Sequence, residues 1–523
     1  MTEYTSGGGI GSSPIPAVDG LPGVAVDVPP GDGPGAETDG LRRRAVRGGA
    51  TVVASRLFVQ LFAWIVTIQV ARILRPYDFG ILSMGVVFIG LGDLLVEAGM
   101  GRALVWKRDL VPDDVAEGFT ICLVLSLILY AVMFGLAGPA AYFLNSPEMV
   151  AFLRVTGLLL LLVPFRAVPM ALLDRELRLG RQSAIYVASS LIQSGMVLTM
   201  AVAGFGYWAL AAGALVGRAL EVIALGSQAG WTPRLRMPSA RARLLLTFGI
   251  HATGSSLLWF VYSNSDFAIV GRLQGARILG LYAFAFQLIS IPVHKLTATF
   301  GAVSYPVYCR LQHDPTRVRS WHLRTAALLM AMGMPALVGL ALVAEDAIAV
   351  VLGPKWAGAV LPLRLLCIAG SVMVYHDFLP PLFSSLGRPD INLKFTAVCA
   401  SVLPAGFLLM GHLGGLVGIC SVWITIYPML VAGLVALTRP ITGFGLADVA
   451  RRLAPVLGSV LLMAAAVLLV QAGLARLRHV PLRLGLAIAA GVVVYGGALW
   501  GLARQTVLDD FRVLLGELKG RRA

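Results

Sequence analysis

Charged side chains interrupt apolar stretches of this sequence that are long enough to cross a lipid bilayer. Six Lys and Arg residues lie inside such stretches: Arg56, Arg154, Arg166, Arg218, Lys295 and Arg364. A charge at mid-membrane costs about 2.5–3.5 kcal/mol on insertion scales, so each one must face an acid, water or a ligand. A guanidinium presents a planar fork that suits phosphate, so a cation without an acidic neighbour is a candidate for binding an anionic group.

The acids Asp93 and Glu97 are the first candidate partners. They are spaced i, i+4 and therefore share one helix face, and Arg56 falls between them in depth on the preceding predicted helix. One interpretation is a buried ion pair that fixes the first helical hairpin. The other is a gate, in which the pair breaks when a phosphate competes for Arg56.

Two further cations have acids close by. Arg218 lies i, i+3 from Glu221, so the two can neutralise each other, although Arg218 also stays a candidate for an anionic ligand. Arg364 lies near a predicted helix end and can meet Glu345 or Asp346 as a latch.

Lys295 and Arg166 have no acid at matching depth on the neighbouring predicted helices. By elimination they are the better candidates for an anionic headgroup in a lumen, with snorkelling to the inner surface as the alternative for Lys295. Asp266 can pair with Arg272 or Arg277, or take part in cation coupling.

No arrangement of residues predicts catalysis. The sequence has no Gly-rich phosphate loop, no H-E-x-x-H pattern and no convincing Ser-His-Asp order. His376 beside Asp377 is a candidate proton relay. The five cysteines lack C-x-x-C spacing, which argues against a zinc site or a disulfide framework. We therefore expect a protein that is not an enzyme and that needs no metal or cofactor.

Composition indicates an integral membrane protein. Apolar residues make up 58% of the 523 residues and charged residues 13%, with a mean hydropathy of +0.82, whereas about a quarter of a soluble domain is charged. A helix needs roughly 20 apolar residues to cross about 30 Å of hydrocarbon. The sequence predicts an all-α fold with fourteen transmembrane helices near 50–72, 79–101, 117–143, 150–173, 182–204, 206–229, 247–272, 278–304, 323–352, 358–386, 391–410, 414–438, 452–472 and 481–503.

Loop charges predict the orientation of these helices. Short loops rich in Lys and Arg stay in the cytoplasm. With the N-terminus inside, 28 of the 42 Lys and Arg residues fall on the inner side and 8 on the outer side. Both termini are therefore expected in the cytoplasm, in a multi-pass protein of the inner membrane. The same distribution explains the net charge of +15 without nucleic acid as a partner.

Two segments 200 residues apart share one pattern. In ARILRPYDFGILSMG (71–85) and GRLQGARILGLYAFA (271–285), an apolar run ends in Arg, and a Gly opens the next run. The tripeptide LGR also recurs, at 179–181 and 386–388. Parallel repeats with a site between them are a transporter architecture. The alternative is chance, because Gly and Arg are common at helix ends.

The repeat divides the chain into predicted units. They are a disordered acidic tail at 1–40, a six-helix N half at 41–229, a linker at 230–246, a six-helix C half at 247–438, two additional helices at 439–503 and a cytoplasmic tail at 504–523. The tail at 1–40 is rich in Gly and Pro and cannot bury enough apolar surface to order itself.

Two stretches resemble a known family. ARILRPYDFGILSMGVVFIGLGDLLVEAGMGRALV resembles the first-to-second helix region of Wzx-type polysaccharide flippases, in the multidrug/oligosaccharidyl-lipid/polysaccharide exporter superfamily. DFAIVGRLQGARILGLYAFAFQLISIPVHKLTATFGAVSYPVYCRLQHD is similar to that family's eighth-helix region. The resemblance covers about residues 45–440 and departs at Arg75, where a Gly is usual. It also places Asp266 at the family's acidic position.

The resemblance implies a flippase that moves a polyprenyl-diphosphate-linked oligosaccharide by alternating access, for surface or exopolysaccharide export. The implied partners are the lipid-linked glycan, membrane lipids and the polysaccharide polymerase or assembly machinery. The candidate headgroup cations are Lys295, Arg166, Arg56 and Arg218, and the candidate gating or coupling acids are Asp93, Glu97 and Asp266.

Three alternatives stay open. A drug or metabolite exporter of the same superfamily would want an acid-rich cavity, and the six cations inside spans argue against it. A membrane polymerase or ligase needs a large outer loop, whereas the predicted outer loops are short. A scaffold for glycan assembly would use residues 1–40 as its contact.

Overall fold

The computed structural model describes residues 62–502, except 98, 108, 177, 238 and 477–478, together with residue 504; the side chains of 179 and 240–252 are not included. Within these ranges the chain is almost entirely helical and has no β-strand, which confirms the all-α prediction. The predicted tail at 1–40, nearly all of the tail at 504–523 and the candidate Arg56 lie outside the described residues.

The helices follow one another with short connections. They are α1 (Phe62–Ile73), α2 (Pro76–Glu97), α3 (Met100–Trp106), α4 (Pro112–Phe143), α5 (Glu148–Thr156), α6 (Leu158–Arg175), α7 (Leu179–Val202), α8 (Tyr207–Ala229), α9 (Ala240–Leu311), α10 (Pro315–Leu342), α11 (Ala344–Val351), α12 (Val360–His376), α13 (Leu379–Ser385), α14 (Pro389–Ile424), α15 (Ile426–Thr442), α16 (Leu446–Gly473) and α17 (Val480–Leu502), with a 3-10 helix at Pro354–Ala359.

Eleven helices in the described part of the chain are long and apolar enough to cross a membrane. Two of them, Thr253–Leu311 with 59 residues and Pro389–Thr442 with 54, have more than twice the roughly 20 residues that one crossing requires. The multi-pass helical architecture is therefore confirmed, whereas the number fourteen stays a prediction.

Glycines interrupt both of these long helices. Gly275 (φ 78°, ψ 173°) breaks α9, and Gly415 (φ 57°, ψ −137°) breaks α14. Glycine reaches such positive φ values without the steric cost that a Cβ imposes. Gly206, just before α8, has nearly the same angles as Gly415 (φ 57°, ψ −136°). The divisions that the sequence predicts at 272–278 and 411–415 are confirmed.

The predicted N half and C half meet where α2 crosses the part of α9 that follows Gly275, called here its second arm. A Cβ atom on Gly80 would lie 1.7 Å from the carbonyl oxygen of Ala276, and one on Gly280 would lie 1.7 Å from the carbonyl oxygen of Pro76. The two backbones are so close that a side chain at either position would force them apart.

Hydrogen bonds between the halves close the end of the molecule that is predicted to face outward. Arg72 donates from Nε to the carbonyl of Val351 (2.7 Å) and from Nη2 to that of Val350 (2.6 Å). In return, Lys355 Nζ donates to the carbonyls of Arg72 and Leu74 (2.5 Å each). Each cation caps the C-terminal end of a helix in the other half, where unpaired carbonyls and the helix dipole favour positive charge.

An aromatic cluster supports this closed end from inside. The Trp356 ring centroid lies 5.4 Å from that of Phe79 and 4.6 Å from that of Phe284. Its Nε1 donates to the carbonyl of Ala71 (2.9 Å). Edge-to-face and tilted pairs of this kind add to the apolar burial of the rings, so the outer contact is both hydrogen-bonded and packed.

The halves also touch at the opposite end, which is predicted to be cytoplasmic. Arg102 Nη2 donates to Ser256 Oγ (3.2 Å). Closer to the middle, a Cβ on Gly90 would lie 2.9 Å from the ring of Phe260. The interface between the halves is therefore in contact at both ends.

The last two helices attach to the C half. Arg483, in α17, forms an ion pair with Asp346 of α11 (Nε–Oδ2 2.8 Å). Arg364 contacts Glu345 (Nη2–Oε2 3.4 Å). The sequence predicted either Glu345 or Asp346 as its partner, and the contact with Glu345 is confirmed. Asp346 therefore pairs with Arg483 of α17 and not with Arg364.

Candidate functional site

A cavity of about 660 Å³ lies between the two halves. Its walls come mainly from α1, α2 and α7 of the N half and from α9 of the C half. The lining includes Thr67, Ser83, Ser190, Gln193, Ser194, Gln287 and Ser290 with the rings of Phe79, Tyr186, Phe267, Phe284 and Phe286. No charged side chain is among the lining residues that the structure describes. Hydroxyls and amides both donate and accept hydrogen bonds, so this interior suits a polar, uncharged ligand group.

Helix α7 shows why these residues face one way. Tyr186, Ser190, Gln193 and Val197 follow each other at spacings of four, three and four, which places them on a single helix face. All four line the cavity. The sequence analysis did not predict this face, because the candidate site residues were all charged. The hydroxyl and amide side chains that recur at helical spacing along α7 could have indicated it.

Four charged residues form one cluster within the N half. Arg166 of α6 binds Glu221 of α8 (Nε–Oε1 3.0 Å). Arg218 of α8 lies 3.4 Å from Asp93 of α2 and 3.8 Å from Glu221. Two guanidinium groups thus alternate with two carboxylates across three helices, which satisfies charges that would be costly alone in a membrane.

The cluster is only partly covered. The side chain of Arg166 is 35% exposed and that of Asp93 30%. Asp93 Oδ1 is buried and has no hydrogen-bond partner among the described residues. An unpaired buried acceptor is costly, so this carboxylate has capacity for one more donor.

The wall of the cavity between the halves contacts the helix that carries Arg218 and Glu221. A Cβ atom on Gly217 would lie 2.5 Å from Oε1 of Gln193, a residue of the cavity wall. Gly217 immediately precedes Arg218 along α8. The side-chain amide of Gln193 therefore lies against the helix segment that carries the charged cluster.

One prediction about the cluster is wrong and one is confirmed. Arg166 was expected to lack an acid at its depth, but Glu221 provides one, because α6 and α8 pack side by side although they are not consecutive. Arg218 contacts Glu221 as predicted. It also contacts Asp93, which was predicted to pair with Arg56.

Lys295 and Glu97 lie apart from this cluster. Lys295 is exposed on α9 and lines neither this cavity nor the one described below, although its neighbour His294 lines the latter. Glu97 forms no ion pair with any described residue. In the same part of the chain, no group of three His, Cys, Asp or Glu side chains is placed to hold a metal ion.

Asp266 is fully buried on α9. It accepts hydrogen bonds from Tyr282 Oη (2.6 Å) and from the backbone N–H of Phe267 (2.9 Å). Trp423 Nε1 in turn donates to Tyr282 Oη (3.0 Å). The expected pairing with Arg272 or Arg277 is wrong: Asp266 lies more than one helical turn before them, and Arg272 instead lies over the ring of Phe143 (5.3 Å).

A second cavity, of about 470 Å³, lies within the C half. Its lining includes Trp259, Tyr262, Asn264, His294, His376, Asp377, Asn392, Phe395, Thr396 and Trp423, and it shares Phe267, Phe286 and Ser290 with the first cavity. His376 Nδ1 lies 3.1 Å from Asp377 Oδ1, so the predicted pair is formed. The two cavities therefore adjoin along α9.

Comparisons with known proteins agree with this architecture. Residues 69–361 match the model of a family described as "Polysaccharide biosynthesis protein". The chain is 23% identical to the lipopolysaccharide biosynthesis protein WzxC of Escherichia coli over 72% of its own length and 77% of that protein. It is 25% identical to the succinoglycan biosynthesis transport protein ExoT of Rhizobium meliloti, over 68% and 72%.

Solved structures share the fold at low sequence identity. A lipid II flippase MurJ in an inward closed conformation aligns with a TM-score of 0.73 at 11% identity, over 87% of this chain and 99% of that one. An inward-facing multidrug resistance MATE family transporter of the MOP superfamily aligns with a TM-score of 0.59 at 14% identity, over 73% and 94%. The resemblance to Wzx-type proteins is thereby confirmed, and since the matched segment spans more than half of the chain, this protein belongs to the polysaccharide biosynthesis protein family.

Proposed function

We propose that this protein is a flippase that translocates a polyprenyl-diphosphate-linked oligosaccharide across the cytoplasmic membrane by alternating access. The observation that carries the proposal is the cavity of about 660 Å³ between the halves, with contacts between the halves on both sides of it. A site between two helical units that rock against each other is what alternating access requires.

The relatives support the substrate class. Their names refer to the biosynthesis of lipopolysaccharide, succinoglycan and, in a Bacillus subtilis relative, teichuronic acid. These are different polymers, and a transporter for a lipid-linked sugar unit is a function that all three syntheses can use. The lipid II flippase MurJ shares only 11% of its residues with this chain, so that structure supports the fold alone.

The diphosphate would bind at the charged cluster. Arg166 and Arg218 each bind a carboxylate, and a diphosphate offers the same guanidinium forks more acceptor oxygens. Binding would then release Asp93 and Glu221, which couples substrate entry to a change in helix packing. Arg56 keeps its proposed headgroup role and Glu97 its proposed gating role. Lys295, which is exposed on α9 and lines neither cavity, is not part of the headgroup site proposed here.

The membrane potential can drive export. Moving one charge across 100 mV is worth about 2.3 kcal/mol, so two outward negative charges would gain roughly 4–5 kcal/mol with an inside-negative potential. We place both termini in the cytoplasm on the basis of the loop charges, and we propose the polysaccharide polymerase or assembly machinery as the partner that receives the glycan.

Reconstitution tests the proposal. Purified protein in liposomes should move the lipid-linked glycan that accumulates in cells from which the gene is deleted, at a rate that rises with an imposed potential. Absence of such accumulation, or no movement under any gradient, would overturn the proposal. Transport of organic cations instead would indicate the drug-exporter alternative. A transporter should keep moving the lipid after residues 1–40 are deleted, so loss of transport in that variant would favour the scaffold alternative.

A further inference from the structure

The cavity of the C half has the size of a ligand site. Its volume is about 470 Å³, within the range of about 300–1,000 Å³ that ligand pockets occupy. Helices α9, α12 and α14 and the start of α13 form its walls. These elements belong to one half, so the cavity can keep its shape while the two halves move relative to each other.

Aromatic rings make up much of its wall. The Trp423 ring lies 6.3 Å from that of Tyr262 and 5.9 Å from that of Phe286, between centroids. Trp259 is 54% exposed although it lines the cavity. Rigid aromatic faces with a polar edge suit a ligand whose surface is both apolar and polar. A pyranose ring is such a ligand, because its C–H groups form an apolar face and its hydroxyls point outward around the rim.

Hydrogen-bonding groups are placed between the rings. Asn264 Nδ2 donates to the carbonyl of Phe260 (3.0 Å) and Asn392 Nδ2 to that of Pro380 (3.3 Å). These bonds fix both amides, and within the described residues neither Oδ1 receives a donor. Thr396 adds a hydroxyl to the same lining. Fixed acceptors beside aromatic faces are the few oriented polar groups that give a pocket its specificity.

The charge of the cavity argues against the diphosphate as its occupant. Neither Lys nor Arg occurs among the lining residues in the described ranges. The one carboxylate, Asp377, lies 3.1 Å from His376. An ionised diphosphate without a cation would pay a large desolvation cost here, whereas uncharged hydroxyls would not.

The position of the cavity matches the geometry of a lipid-linked sugar. It adjoins the cavity between the halves at Phe267, Phe286 and Ser290. The wall of that cavity contacts, through Gln193 and Gly217, the helix that carries Arg218 and Glu221. We propose that the C-half cavity binds glycosyl residues of the substrate, with Trp259 as a stacking platform and Asn264 and Asn392 as hydroxyl ligands. This inference rests on the proposed function and assigns the diphosphate and the sugar to different halves of the protein.

Two matched ligands test the assignment. One is the lipid-linked glycan extracted from gene-deletion cells; the other is polyprenyl diphosphate of the same chain length, without the glycan. Binding of both to the full-length protein in nanodiscs is measured for the wild type, Trp259→Ala, Asn392→Ala and the control Trp500→Ala. Trp500 is 59% exposed on α17 and lines neither cavity.

We expect the wild type to bind the glycan-bearing lipid at least about tenfold more tightly than polyprenyl diphosphate, because only the former contacts the C-half cavity. A tenfold difference in affinity corresponds to about 1.4 kcal/mol. Trp259→Ala and Asn392→Ala should remove most of this difference and leave the affinity for polyprenyl diphosphate unchanged. Trp259→Phe, which retains an aromatic face, should restore part of it.

Three results would overturn the assignment. They are a sugar-dependent gain that survives both cavity variants, an equal loss of affinity for both lipids, and tight binding of an organic cation such as tetraphenylphosphonium that the cavity variants abolish. If the wild type binds neither lipid, the proposed function itself fails. If it binds both lipids equally, the flippase proposal stands and the glycosyl cavity does not.

Discussion

Gly80 and Gly280 lie on opposite sides of one helix crossing, and each contacts the backbone of the helix that carries the other. Each packs against the carbonyl of the residue four positions before the other glycine, at a distance that leaves no room for a Cβ. Adding 200 to Pro76 and Gly80 gives Ala276 and Gly280, which is the pattern that a two-fold axis between parallel hairpins produces. The reciprocity supports the predicted repeat, which stays a prediction.

We predict that Gly80→Ala and Gly280→Ala impair the protein to a similar degree. Each methyl group would meet backbone rather than a movable side chain, so α2 and α9 must separate. Overpacking of this kind typically costs about 1–3 kcal/mol. Thermal unfolding of the purified protein and lipid transport in liposomes should both show the loss. Gly195→Ala in α7 is the matched control, because no atom lies within 4 Å of its Cβ position; if Gly80→Ala behaves like this control, the crossing is not tightly constrained.

We predict that Arg72→Gln and Lys355→Gln favour opening at the predicted outer end. Each change removes a cation from a helix C-terminus, worth about 0.3–1 kcal/mol and up to about 2 in partly buried geometry. A cysteine placed at Ser83, which lines the cavity between the halves, should then react faster with a membrane-impermeant maleimide added outside intact cells. The five native cysteines are first replaced by Ala.

Arg476→Gln is the control for this experiment. Arg476 is exposed between α16 and α17 and makes no ion pair with the described residues. Faster labelling in the Arg72 and Lys355 variants but not in the control supports an outer closure. If labelling becomes faster only with reagent on the cytoplasmic side, the orientation predicted from the loop charges is wrong.

Turn positions were accessible from the sequence because glycine leaves a local signature. Gly275 and Gly415 lie where apolar runs were interrupted, and their positive φ values explain why glycine is required. The partner of Arg166 was not accessible in this way. Glu221 lies 55 residues away along the chain, and the contact depends on which helices pack side by side, which hydrophobic periodicity does not determine.

The glycosyl cavity was missed for a related reason. Trp259 and Asn392 lie on different helices, and neither is unusual by itself in an apolar segment. Only the tertiary arrangement places them on one surface. Asp266 was found as a residue of interest, but its neighbour Tyr282 lies on the other arm of α9, beyond the turn at Gly275, so a partner nearer in sequence was expected.

We predict that Asp93→Asn strengthens the binding of polyprenyl diphosphate, whereas Arg218→Gln weakens it by at least about tenfold. Asp93 competes for Arg218 at 3.4 Å, and a charge-assisted hydrogen bond to phosphate is worth about 1.5–3 kcal/mol. Arg218→Lys should rescue poorly, because an ammonium cannot form the bidentate contact. Binding to protein in nanodiscs measures all three variants.

The matched control for the cluster is Arg154→Gln. Arg154 lies in the candidate membrane span Glu148–Arg175, and its guanidinium lies over the ring of Phe134 (4.4 Å) rather than in the cluster. The affinity of the Arg154→Gln protein for polyprenyl diphosphate should equal that of the wild type. Weaker binding in Asp93→Asn, or equal losses in Arg154→Gln and Arg218→Gln, would remove the cluster as the headgroup site.

The last prediction separates coupling from structure at Asp266. Asp266→Leu leaves Tyr282 Oη without its acceptor inside the protein, and an unsatisfied buried donor costs about 1–3 kcal/mol, so this variant should unfold at a lower temperature. Asp266→Asn retains an acceptor oxygen for Tyr282 and should be closer to the wild type in stability. An amide cannot exchange a proton, so Asp266→Asn in liposomes should respond to an imposed membrane potential but not to an imposed pH gradient. Asp390→Asn changes an aspartate of the C half that lines neither cavity, and it should keep the response to both. If Asp266→Asn follows a pH gradient as well as the wild type does, the carboxylate acts only as a hydrogen-bond acceptor that joins the two arms of α9.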